Sequence, residues 1–129
     1  MSDNTATTPQ RALAYFFYLA HGHCHRAAKT AARLLLSCYN GNRFEFDITD
    51  LRLLDEQHLD MALQIMRLDA GIQREVHDHL NAMYGRTDFG PRFEHLAWKF
   101  GLKGKTKKGW LTPVEPVTFT NPLKETAAH

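Results

Sequence analysis

Apolar residues recur at three- and four-residue spacing along nearly all of the chain between Pro9 and Phe100, and capping or turn residues bound each run. This pattern constrains the fold more than any other feature, because a 3.6-residue period buries one stripe of a helix and cannot line one face of a strand. Leu13, Phe16, Phe17 and Ala20 form the first stripe, widened by Ala12, Tyr15 and Leu19. Thr8-Pro9 reads as its N-cap and first helical position, and Gly22 as its stop. A second helix is predicted from about His25 to Tyr39, burying Ala28, Ala31, Ala32, Leu35 and Tyr39 and ending at Asn40-Gly41.

In the third run Leu59, Ala62, Leu63 and Met66 make one stripe and Met61, Ile65 and Leu68 another, with Asp55 as N-cap. Apolar on two sides, this helix is expected at the centre of the bundle. Ile72, Val76, Leu80 and Met83 continue a helical pattern beyond Gly71. One glycine costs about 1 kcal/mol in a helix, so a break there and a single long helix are both open. A last short helix starts at Gly90-Pro91 and carries Phe93, Leu96, Ala97 and Phe100 inward.

Only Arg43 to Ile48 alternates apolar and polar residues. No second strand follows at hairpin distance. The segment is therefore expected to be extended, its aromatic residues covering the helical core, with Asp47 capping a short helix through Leu51. Past Gly101 the composition changes: glycines and lysines fill the chain to Gly109, and Pro113, Pro116 and Pro122 forbid regular helix. Trp110, Leu111, Val114, Val117 and Phe119 are left to dock on the bundle or on a partner. The expected fold is all-α or nearly so: a compact bundle of four to five helices, with an extended segment near 43–48 and a non-helical C-terminal tail. Residues 1–8 read as a frayed tail, 9–100 as the helical domain and 101–129 as a basic, proline-containing segment.

The 129 residues, 43% of them hydrophobic, suit one domain with one core. No apolar run reaches bilayer length, and Met1 to Gln10 lacks the basic-then-apolar order of a signal peptide, so a cytoplasmic location is expected. Cys24 and Cys38 are too few for a disulfide framework and read as free thiols.

The densest group of metal-binding side chains is His21, His23, Cys24 and His25. Imidazole and thiolate suit zinc or copper, but structural zinc sites draw ligands from separated segments, and adjacent residues close a tetrahedron poorly. The preferred reading is a polar turn whose histidines cap helix ends, with no cofactor. The same crowding could activate Cys24, yet no cysteine-enzyme signature surrounds it. Asp47, Asp50, Asp55, Glu56 and Asp60 read as caps and first-turn acids and not as a cation loop. Gly101 to Thr106 resembles the end of a phosphate loop but lacks the preceding strand and glycine. No catalytic residue is assigned.

Charge is the more usable signal. The net charge is +2, yet Lys99, Lys103, Lys105, Lys107 and Lys108 contribute +5 within ten residues, leaving −3 for the remainder. Lysines spaced by glycines can adapt to phosphates, with Trp98 or Trp110 stacking on a base, or can meet an acidic protein surface. Arg26, Lys29 and Arg33 share one face of the second helix and would extend this surface if the fold brings them near.

The middle of the chain carries a resemblance. Arg33 to Asn40 (RLLLSCYN), Phe46 to Leu51 (FDITDL) and Leu54-Asp55 are similar to an uncharacterised family of small helical bacterial proteins, often encoded on plasmids and integrative conjugative elements. The resemblance spans roughly Arg11 to Phe100 and implies no activity. His21 to His25 replaces a Gly-Asp-Ser-Gly-like turn of that family, and the lysine-rich tail lies beyond the shared core. Small helical proteins of mobile elements are often interaction proteins. By that analogy the chain is expected to be a non-enzymatic inhibitor of a host defence nucleoprotein complex, of anti-CRISPR or anti-restriction type, binding through the basic segment and the apolar tail as a monomer or homodimer. The alternatives are a basic nucleic-acid-binding accessory protein and, last, a metal- or thiol-dependent enzyme.

Overall fold

The computed structural model describes residues 8–71, 74–102, 109 and 111–125. Among them every regular element is helical, with no strand: α1 (Pro9–Gly22), α2 (Arg26–Tyr39), a 3-10 segment (Ile48–Leu53), α3 (Glu56–Ala70), α4 (Val76–Tyr84), α5 (Phe89–Lys99) and a single turn, α6 (Pro122–Glu125). This is the all-α bundle that the periodicity requires.

The helix boundaries follow local chemistry. The Thr8 hydroxyl accepts from the Arg11 N–H at 3.1 Å ahead of Pro9. The Asp55 carboxylate accepts from the His58 N–H at 2.8 Å and starts α3. Asp47 accepts from the Thr49 N–H at 2.9 Å and starts the 3-10 segment. Each cap satisfies an amide that the first helical turn leaves without an internal partner. Gly85 ends α4 in the left-handed region at φ 63°, where a side chain would be strained. Gly71, at an ordinary φ of −73°, follows the last residue of α3, and α4 begins only at Val76. The third periodic run is thus two helices. Ile72, expected to continue the pattern between them, lies outside the described residues.

The central helix is α1 and not α3. It packs against α2, α3, α4 and α6, and Ala12, Leu13, Ala14, Phe16, Phe17, Leu19 and Ala20 are all buried. Only Met61, Ala62 and Ile65 of α3 are buried, while Leu63 is half exposed. The double stripe of α3 overstates its burial because α3 is covered by α1 and, less extensively, by α2, on one side. Phe44 is buried and Phe46 packs partly on the core, as expected of aromatic residues covering helices. Ile48, the last apolar residue of the alternation, points to solvent where it opens the 3-10 segment.

The tail does not run free of the bundle. Phe119 is 8% exposed and sits among Phe17, Tyr84 and Phe89, with ring centroids 5.3–5.8 Å away. Val117 and Leu123 pack partly on the same core. Asn121 accepts from the Leu123 N–H at 2.9 Å and starts α6, one helical turn in a tail expected to be non-helical. Pro122 permits this turn, because a proline at the first helical position has no N–H to lose.

Candidate functional site

Two charged side chains that the sequence leaves unremarked are buried in α5. Glu94 is fully buried, and its carboxylate accepts a two-point bond from the Arg43 guanidinium, whose Nη1 lies 3.0 Å from Oε1. The Tyr39 hydroxyl donates to the same carboxylate. Arg43 also lies over the rings of Tyr39 and Phe44. Burial, with Glu94 as the acceptor of its proton, pushes the Tyr39 phenol well above its usual value. The triad joins the end of α2 and the following turn to α5.

Arg92 is 4% exposed and pairs with Asp88 through Nε and Nη2, both at 3.0 Å, while Nη2 also donates to the Glu115 carbonyl at 2.7 Å. Arg86 bridges Asp88 and the Glu115 carboxylate. Hydrogen bonds from Arg86 and Arg92 hold the Asp88 carboxyl far below the usual range. This network fastens the tail to α5 beside Phe119, over which Arg92 also lies.

Lys99 has a structural task. Its ammonium donates to the carbonyls of Ala20, His21 and His23 at 2.8, 3.0 and 2.8 Å. The last carbonyls of α1 have no helical partner, and a cation there also opposes the helix dipole. The lysine expected to begin the partner-binding segment therefore caps α1 with all three of its N–H bonds. Desolvation lowers its pKa. Replacing Lys99 with methionine keeps the stem and removes the cap; the expected cost is about 1.5–3 kcal/mol, the range for hydrogen bonds to a charged group, read as a fall in the urea midpoint with an unchanged slope.

The other expected residues divide. Lys103, Lys105, Lys107, Lys108 and Trp110 lie outside the described residues. Arg26, Lys29 and Arg33 do share the solvent-facing side of α2. Arg33 approaches Asp50 at 3.6 Å but stays 53% exposed, and Arg26 and Lys29 have no acidic partner among the described residues. Because Lys99 reaches the His23 carbonyl, the C-terminal end of α5 lies against the α1–α2 turn, and the lysine-rich segment leaves from there.

The histidine cluster is split among separate duties. His25 caps α2, its Nδ1 accepting from the Ala28 N–H at 3.1 Å. His23 stacks on His25 and meets the edge of Tyr18. His21 lies against Phe17 and Phe119. Cys24 is exposed and free. Among the described residues no three His, Cys, Asp or Glu side chains are grouped to hold a metal. Cys38 is half-buried, and burial pushes its thiol up to about 12, which keeps it protonated and unreactive.

One arrangement has the order of a relay. Asp55 accepts from His58 Nδ1 at 2.7 Å, so Nε2 is left to accept from the Tyr15 hydroxyl at 3.3 Å. A carboxylate, an imidazole and a hydroxyl in sequence can activate a nucleophile. Here burial raises the Tyr15 pKa, helped by the charges of Tyr18 and Asp55, so the phenol is held protonated and serves as a link between α1 and α3. Only the spacing of His58 three residues after its N-cap hinted at this pair in the sequence.

No helix among the described residues is long and apolar enough to cross a membrane. No curated protein and no solved structure matches the chain. A family model does match, over residues 10–98, the helical region from α1 into α5. The chain belongs to that family, DUF7673, a family of unknown function.

Proposed function

We propose that this protein is a non-enzymatic binding protein that docks on an anionic partner through the outer face of α2 and the lysine-rich segment beside it. The observation that carries this reading is the exposed row Arg26, Lys29 and Arg33, two of whose members lack an acidic partner among the described residues, on the helix that follows the turn reached by Lys99. Charge gathered on one side of a small protein steers it toward negative surfaces and sets its orientation on arrival. The apolar tail, first expected to share in binding, has its largest described side chain, Phe119, committed to the protein's own core, which leaves recognition to charge.

The partner class we propose is a host defence nucleoprotein complex of the CRISPR or restriction type, with the protein as its inhibitor. The support is the sequence resemblance to proteins of plasmids and integrative conjugative elements, together with the basic face. The test is co-elution of the full chain with purified effector complexes on size exclusion. A stable complex is expected, and replacing Lys103, Lys105, Lys107 and Lys108 with glutamine should weaken it at least tenfold. No complex with any effector, alongside salt-sensitive binding to random duplex DNA, would favour the nucleic-acid accessory role. That role predicts a salt slope that flattens by about 0.9 for each phosphate contact removed. The four-lysine variant binding every partner as tightly as the parent would refute the charge-based reading.

A further inference from the structure

The buried network around Arg92 leaves one part of its guanidinium unused, and Arg92 lines a cavity. Of the five N–H bonds, those of Nε and Nη2 serve Asp88 and the Glu115 carbonyl, whereas Nη1 makes no hydrogen bond among the described residues. The cavity, of about 190 Å³, lies between the C-terminal end of α1, α5 and the tail, and is lined by His21, Arg92, His95, Leu96, Lys99 and Val114. Four of these six side chains are cationic or able to become so, and none is acidic. A guanidinium nine-tenths buried, held rigid by a carboxylate and by the rings of Phe89 and Phe119, is a preorganised donor whose free edge calls for an acceptor.

The other lining groups have defined roles. Lys99 has all its N–H bonds engaged with α1 carbonyls, so it supplies charge and no donor. His95 places its Nε2 2.7 Å from the Thr112 carbonyl and must donate there, so its Nδ1 can donate to an oxyanion only when the ring is the imidazolium, a form that a bound anion favours. The ring nitrogens of His21 have no partner among the described residues, and its ring is fixed between Phe17 and Phe119. We infer that this cavity is a binding site for a phosphate-type oxyanion, held by Arg92 Nη1 and the two imidazoles in the field of Lys99. The volume admits a phosphate and the first atoms esterified to it, and excludes a whole polynucleotide. The site is separate from the α2 face, so it stands whether or not the partner-docking reading does.

In the empty pocket His21 is depressed below its ordinary value by burial and by the charges of Arg92 and Lys99. A bound anion opposes all three influences, and its arrival should therefore be reported by this ring.

The test is titration of inorganic phosphate into the full chain at constant ionic strength, balanced with chloride, following the imidazole resonances by NMR. Saturable shifts confined to His21 and His95 are expected, with the His21 pKa rising on saturation. Arg92→Lys, which keeps the charge but loses the fork, should weaken binding at least tenfold; if that variant is unfolded, the wild-type titration decides alone. Replacing Arg26, Lys29 and Arg33 together should leave phosphate binding unchanged, which separates this site from the docking face. Shifts that grow linearly without saturation, or that spread equally to the amides of Arg26 and Lys29, would mean screening of surface charge and would overturn the proposal. Competition then identifies the source: displacement by a 5′-phosphorylated dinucleotide at lower concentration than by phosphate indicates an esterified ligand, and the reverse order indicates the free ion.

Discussion

Replacing Arg43 with alanine is expected to destabilise the protein by about 3–5 kcal/mol, the range for stranding one partner of a buried ion pair. The carboxylate of Glu94 is completely enclosed and would lose its guanidinium partner, while the Tyr39 hydroxyl still donates to it. Against a total stability of about 5–15 kcal/mol for a domain, this loss is a large fraction. Urea denaturation followed by circular dichroism measures it. Tyr39→Phe removes a single hydrogen bond from the same carboxylate and should cost less. The decisive comparison is the joint replacement of Arg43, Glu94 and Tyr39 by Met, Met and Phe. Removing every polar member leaves no charge stranded, and such exchanges are often neutral or stabilising. Recovery of most of the Arg43→Ala loss is expected; a triple variant as unstable as Arg43→Ala would show that the site depends on packing and not on desolvated charge.

The second large effect belongs to Phe119, whose truncation to alanine is expected to cost about 3–5 kcal/mol, as for other buried aromatic residues. The consequence should be local as well as global. Phe119 fills the space bounded by Phe17, His21, Tyr84 and Phe89, and Arg92 covers it. Its loss releases the anchor of the tail and leaves the Arg86 and Arg92 contacts to Glu115 to hold the segment. Amide exchange should rise first across 111–125, ahead of α1 and α2. Uniform exchange throughout the chain would instead mean that the tail and the bundle unfold as one unit.

The proposal of a binding protein without catalysis draws on the same chemistry. Three reactive-looking groups are engaged or held protonated: His25 caps a helix, Tyr15 is held protonated, and the Cys38 thiol is raised by burial. Arg26, Lys29 and Arg33 face outward together on α2 with charge to offer.

The sequence by itself determined the helices and where they begin. Thr8, Asp47 and Asp55 cap as their types and positions require, because a cap bonds an amide two or three residues away, and that information is local. Periodicity likewise located the buried stripes of α1 and α2, since 3.6 residues per turn projects directly onto a face. It did not decide which apolar side of α3 would be covered, for that depends on what docks there. Nor did it distinguish Glu94 and Lys99 from surface charges. Glu94 meets Arg43 across 51 residues, and Lys99 reaches Ala20 across 79. A buried charge is tolerable only beside its partner, and only the folded chain brings the two together; the same is true of Phe119 and of the cavity at Arg92.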